Sequence, residues 1–392
     1  MIIKSLLDTD LYKLTMQWFI LNQYPEVDAV YKFNDRSKSM LFNKETYHIL
    51  EDEIHSMQNL RLSDDEYDFI KNRIYFVGPL YRQYLSGYRF NPNDIKLKMS
   101  SKGELDISIE GKWRETVLWE VPLMALISEI YFKYIDVDWV ENYDRQKQIA
   151  HNKIGDLLVE DCKVSDFGTR RRRNFKAQDT LVDSMRNYEN FNGSSNCLLA
   201  QKYNITPIGT QGHEIIMAIS ALESLRHANR FMLQKWGEVY KADLGVALTD
   251  TFGTASFFKD FSLDYAKTWD GLRHDSGSPF ELIDKSVAHY KKLGIDPISK
   301  TIVFSDGLDV GKAIEIKKYC ENKIKCAFGI GTNFSNDFLK KDGTKSKPLN
   351  IVIKLHSVDN IPVVKISENP IKMIGEENAR KVALWTFFNK VI

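Results

Sequence analysis

The strongest constraint on this chain's fold lies after Glu160, where six short apolar runs each end in a polar loop containing Gly or Asp and then enter a helical pattern. The runs are residues 164–168, 206–210, 244–250, 272–277, 301–307 and 325–331. Their loop markers, Asp166, Gly209, Asp250, Asp275, Asp306 and Gly331, recur at intervals of roughly 25 to 43 residues, the length of a strand, a helix and two connections. Repeating that unit builds a parallel sheet with its chemically rich residues at the strands' C-terminal ends. That is the layout of an α/β barrel whose active face is made of βα-loops. Periodicity does not report closure, so an open doubly wound sheet is the alternative. Residues 193–196 give the end of one further short strand.

The first third reads differently, as an α+β unit. Asp8-Thr9-Asp10 caps a helix carrying Leu11, Thr15, Trp18 and Phe19 on one side, with Tyr12 and Met16 beside them. A strand over 27–33, an acidic helix near 63–72 and a hairpin of 95–99 with 104–109 follow. Helices over 121–134 and 141–158 lead into the repeating part, and residues 350–355 and 362–366 form a second hairpin that pairs back onto the N-terminal unit.

Fifty-four Lys and Arg stand against 53 Asp and Glu, a net charge of +1 over 392 residues. A nucleic-acid or membrane-surface binder needs a basic excess, so a small-molecule enzyme is the leading class. Cys162, Cys197, Cys320 and Cys326 make no CxxC pair and the eight histidines no HxxxH or HExxH, so buried reduced thiols are expected in place of a zinc site. The N-terminus lacks a signal-peptide core, and the longest apolar run, 117–132, is interrupted by Glu120 and Glu129, so a soluble cytoplasmic protein is expected.

Five loops carry candidate chemistry. Phe328-Gly329-Ile330-Gly331-Thr332-Asn333 follows a strand and opens a helix over 335–341, a setting in which backbone N–H groups meet phosphate. Asp166-Phe167-Gly168 leads into Arg170, Arg171, Arg172 and Arg173; Arg170 is the one placed to meet a phosphate, and a solvated face is as good a reading of the other three. Phe167 can stack on a flat ring. Gly209-Thr210-Gln211-Gly212-His213-Glu214 sets His213 just past a strand end, where Asp250 from the next strand can orient the imidazole. Asp275 and Asp306, each near a glycine, can take sugar hydroxyls or help position Mg²⁺; Asp309 is more simply a helix cap.

In this order and spacing the motifs resemble those of the nicotinate phosphoribosyltransferase family over nearly the whole chain. They run from Leu6-Leu7-Asp8-Thr9-Asp10-Leu11-Tyr12 through Trp119-Glu120-Val121-Pro122, the loops above, and Gly271-Leu272-Arg273-His274-Asp275-Ser276-Gly277 to Lys347-Pro348-Leu349-Asn350. The resemblance implies a type II phosphoribosyltransferase fold: an irregular α/β barrel, residues 139–349, with an α+β N-terminal domain, 1–138, completed by 350–392. It implies a homodimer that converts nicotinate and 5-phosphoribosyl 1-pyrophosphate to nicotinate mononucleotide and pyrophosphate, with ATP hydrolysis through a phosphohistidine and Mg²⁺ held mainly by pyrophosphate, not by direct protein ligands.

Carried onto this chain, Phe167 stacks on the pyridine and Tyr12 of the partner subunit covers its other face. Arg273 approaches the carboxylate, while Arg170 with the backbone of Gly331 and Thr332 takes phosphate. Asp275 and Asp306 bond ribose hydroxyls, and His213 is the phosphorylated residue with Asp250 orienting it. Nicotinamide enzymes share the fold and are the alternative. They carry a carboxylate where this chain has Ser195, and a hydroxyl there suits nicotinate. Ser278 replaces an acid common after Asp-Ser-Gly, which touches the ribose or metal shell.

Overall fold

The computed structural model describes residues 1–37, 40–241, 243–367 and 373–389. Two sheets organise it. The first is antiparallel, in the order β11-β10-β1-β3-β2, with β1 at Asp28–Asp35, β2 at Ile95–Met99, β3 at Leu105–Lys112, β10 at Ile351–Val358 and β11 at Ile361–Pro362. The β2–β3 hairpin turns at Gly103, where φ is 91°. β10 and β11 turn through Asp359 and Asn360 with φ of 44° and 62°, the paired left-handed residues that a two-residue hairpin requires.

The second sheet is parallel, in the order β5-β4-β9-β8-β7-β6: β4 Val164–Asp166, β5 Phe191–Ser194, β6 Val246–Leu248, β7 Gly271–His274, β8 Thr301–Phe304 and β9 Lys325–Ile330. The run at 206–210 is no full strand. Pro207 makes one parallel bridge to Ser194, and Ile208 N–H donates to the Ser194 carbonyl at 2.9 Å. On its other side Thr210 Oγ1 and Gln211 Nε2 donate to the Val246 carbonyl at 3.3 and 3.2 Å. Side chains therefore do there what a ladder does elsewhere, and the sheet closes through an irregular stave. The intervals foretold the units; the irregularity follows from Pro207, which lacks the N–H that a ladder needs.

The helix Glu120–Tyr134 is apolar nearly all round and is buried accordingly. Other local readings shift. The helix expected at 335–341 is a single turn, Thr332–Ser335. Asp10 occupies the cap position of the helix Leu11–Gln23 without a side-chain cap bond, because its carboxylate accepts from Ser195 Oγ at 2.7 Å. Pairing of the C-terminal segment with the N-terminal sheet holds for β10, which runs antiparallel to β1, but the rest of the segment turns to the barrel. Ile366 N–H donates to the Thr251 carbonyl at 2.9 Å, Ser367 Oγ to Ser276 Oγ at 2.9 Å, and Phe387 of the helix Glu377–Phe388 stacks on Phe252. The four cysteines are unpaired thiols, Cys326 only partly covered. No described helix is long and apolar enough to cross a membrane.

Candidate active site

A cavity of about 430 Å³ opens at the C-terminal ends of the parallel strands. Phe167 comes from the loop after β4, Arg273 from β7, Asp275 and Asp306 from the loops after β7 and β8, and Gly331 and Thr332 from the end of β9. His213 is the first residue of the helix His213–Leu222. The wall is electropositive: Arg36, Arg170, Arg171, Arg273, Lys354 and Lys365 face it, against the carboxylates of Glu120, Glu214, Asp275 and Asp306.

Phe167 lies so close to Gly329 that a Cβ there would run into the ring. The Arg273 guanidinium stands 6.0 Å from the ring centroid, held by Nε–H donation to Ser305 Oγ at 2.9 Å and by donation to the Gln211 carbonyl at 3.1 Å. An aromatic face beside a fixed planar cation suits a flat ring bearing a carboxylate. Tyr12 reaches this cavity in its own chain, its hydroxyl donating to Glu120 Oε2 at 3.2 Å, where the resemblance had supplied it from a partner subunit. Glu120 and Glu214 share the fully buried Lys13. Burial pushes both carboxyls up; Lys13 and then Arg170 outweigh it at Glu120, and Glu214 is left raised.

The arginine run is no solvated face. Thr169–Arg171 form one 3₁₀ turn that aims Arg170 and Arg171 at the cavity. Arg171 Nε donates to the Ile351 carbonyl at 2.9 Å, and burial followed by the charges of Arg170 and Arg36 brings its pKa down to about 10. Arg172 is fully buried in a two-pronged pair with Asp8, both contacts 2.7 Å. Arg173 is buried too, its guanidinium 3.6 Å from the Phe132 ring centroid. Two neighbours in the run thus serve the site and two serve the core.

His213 has a closer set of partners than Asp250 alone. Its Nδ1 lies 2.9 Å from Thr251 Oγ1, and its Nε2 lies 3.0 Å from Asp275 Oδ2 and 2.9 Å from Lys365 Nζ. Asp250 stands off at 3.6 Å, so the orienting contacts belong to Thr251 and Asp275. Burial and then Lys365 push the imidazole pKa below its ordinary value, keeping the ring neutral. Asp275 is held well below the usual carboxylate range, its burial outweighed by the His213 bond and by Arg273. Asp275 and Asp306 both line the cavity wall. Ser195 lies outside the cavity lining, its hydroxyl committed to Asp10.

Sequence reasoning missed Lys365, Thr251, Arg36 and Lys354. Lys365 carried one signal, a lone charge inside the apolar run Ile361-Pro362-Val363-Val364-Lys365-Ile366. Arg36 and Lys354 reach the cavity through the antiparallel sheet, which no motif marks.

The model of the nicotinate phosphoribosyltransferase (NAPRTase) family matches residues 162–391, and that of its N-terminal domain matches 7–128. A nicotinate phosphoribosyltransferase of Methanosarcina acetivorans is 45% identical over 97% of each chain, and one of Shigella boydii is 39% identical over 99% of this chain and 96% of its own. Crystal structures of nicotinate phosphoribosyltransferases from Porphyromonas gingivalis and Vibrio cholerae superpose with TM-scores of 0.94 and 0.91, at 35% and 32% identity; they match 98% and 99% of this chain and 100% and 94% of their own. The chain belongs to the nicotinate phosphoribosyltransferase family.

Proposed function

We propose that this protein joins nicotinate to 5-phosphoribosyl 1-pyrophosphate, releasing pyrophosphate and forming nicotinate mononucleotide. One observation carries the reading: a single electropositive cavity brings together Phe167, Arg273, Arg170 and the backbone of Gly331 and Thr332. Phe167 and Tyr12 border the pyridine, Arg273 takes its carboxylate, and Arg170 with Arg171 takes phosphate. Breaking the bond from C1 to pyrophosphate develops oxocarbenium character, so catalysis rests on holding the leaving group and aligning the ring nitrogen on the other face. That nitrogen already has its lone pair, and no general base is required.

His213, Asp250 and Asp275 offer donor atoms within 4.8 Å of one another, but the Lys365 ammonium stands among them, and this donor set does not fit a protein-bound Mg²⁺. Asp306 on the wall is a hard oxygen donor that would help hold Mg²⁺ arriving with the pyrophosphate, and the ion would supply positive charge to the leaving group. In this reading ATP phosphorylates His213. The protein is a cytoplasmic homodimer, each chain a 1–138 domain completed by β10 and a 139–349 barrel on which the segment after β10 packs.

The excess of cations on the cavity wall favours an anionic base over nicotinamide. Purified protein with 5-phosphoribosyl 1-pyrophosphate and Mg²⁺ should yield mononucleotide from nicotinate, faster with ATP, and little from nicotinamide. No product from nicotinate overturns the reading, and equal rates overturn the specificity. Sedimentation gives the mass of the assembly.

A further inference from the structure

Lys365 arrives at the site by an unusual route. It lies past the β10–β11 hairpin, on a segment tied to the barrel by Ile366 N–H to the Thr251 carbonyl and to Ile374 by backbone bonds in both directions. Its side chain is 4% exposed, with Nζ 2.9 Å from His213 Nε2 and 3.4 Å from Asp250 Oδ2. A buried ammonium costs several kcal/mol unless a charge answers it, and Asp250 does so here.

The contacts at His213 divide between two tautomers. With the proton on Nε2 the ring donates to Asp275, and Lys365 has no bond to the ring. With the proton on Nδ1 the ring donates to Thr251 Oγ1, and Nε2 accepts from Lys365. The first satisfies Thr251 and Asp275 and the second Thr251 and Lys365, with Asp275 then keeping Ser305 and Arg273; only the second leaves a lone pair at Nε2, which an attacking nitrogen requires. A phosphoryl group at Nε2 would bring negative charge beside Asp250 and Asp275, and Lys365 is the one cation within hydrogen-bond reach of that nitrogen among the described residues.

We propose that Lys365 is a catalytic residue of the phosphoryl-transfer step, holding His213 Nε2 as the acceptor nitrogen beforehand and neutralising the phosphoryl oxygens afterwards; this rests on the phosphohistidine reading above. The Nε2 lone pair attacks the γ-phosphorus of ATP, the bond from that phosphorus to the β,γ-bridging oxygen breaks, and its electron pair leaves with ADP. Lys365 keeps its proton and moves its hydrogen bond from Nε2 to a phosphoryl oxygen. The ring proton stays on Nδ1, still donated to Thr251 Oγ1.

The test is labelling of the full-length protein with ATP carrying ³²P in the γ position, read as acid-labile, base-stable phosphate. Lys365→Met and Lys365→Gln should each slow labelling about a hundredfold, and Lys365→Arg, which keeps the charge, should recover about tenfold of that loss. The acid limb of the labelling rate in Lys365→Gln should also move to higher pH, because Asp250 and Asp275 would then face the imidazole without the ammonium. Thermal melting identifies a variant that has lost its fold, and Lys365→Gln is the variant that decides if Lys365→Met does so. Parent-like labelling of Lys365→Gln overturns the proposal while leaving the phosphohistidine intact. A parent protein that forms nicotinate mononucleotide yet takes no label overturns the phosphohistidine, and the proposal with it.

Discussion

At the scale of single residues, the site depends on side chains whose charges are answered one by one. The Asp8–Arg172 pair is wholly buried, so removing one partner strands the other. Arg172→Met should cost about 3–5 kcal/mol, read as a lower urea midpoint, and the double variant with Asp8→Leu should recover part of it. Ser195 makes a related point. Because its hydroxyl donates to the buried Asp10, Ser195→Asp should place two carboxylates together and lower the melting temperature without raising the rate with nicotinamide; a gain of amide use at parental stability would restore Ser195 to the base pocket. Asp166 gives a pH signature. Burial, only partly offset by bonds from Ser194 and Gln178, raises its pKa to about 6. A carboxyl with a raised folded pKa stabilises below its unfolded value, and that contribution is lost as pH rises to about 6. The difference in unfolding free energy between parent and Asp166→Asn should change across that window and be flat above it.

At the scale of elements, strand ends place the chemistry and glycines set how closely it packs. Gly329 lies on β9 under the Phe167 ring, and Gly329→Ala should displace that ring. The expected result is a KM for nicotinate about tenfold higher with the KM for 5-phosphoribosyl 1-pyrophosphate little changed, from steady-state rates. The parallel units were legible because each repeats one local pattern, an apolar run and then a polar turn, and Phe167, Arg170, His213 and Arg273 were legible because they sit at those turns. What escaped is non-local. Nothing in Thr206-Pro207-Ile208 says that side chains will close the barrel, and nothing within the arginine run says which guanidinium meets Asp8, some 160 residues away. Asp250 looked like the histidine's partner because it ends a strand, yet register and side-chain reach hand that place to Asp275 and Thr251.

At the scale of the molecule, both ends of the chain are part of the barrel. Asp8 enters it to pair with Arg172 and Asp10 to bind Ser195, while Lys365 and the Phe387–Phe252 stack bring the C-terminal segment to its mouth. A barrel cut out as residues 139–349 would keep Arg172 without its carboxylate and Asp250 without its ammonium, and would expose the apolar surface now covered by the helices Leu11–Gln23 and Glu120–Tyr134. Each stranded charge costs several kcal/mol, against the 5–15 kcal/mol that usually separates a folded domain from its unfolded chain. The excised piece should therefore be insoluble or non-cooperative in thermal melting, whereas the full chain should unfold in one transition by both circular dichroism and tryptophan fluorescence. A 139–349 fragment that is monodisperse and melts sharply would mean that the termini decorate a self-sufficient barrel. The stranded pairs argue that they complete it.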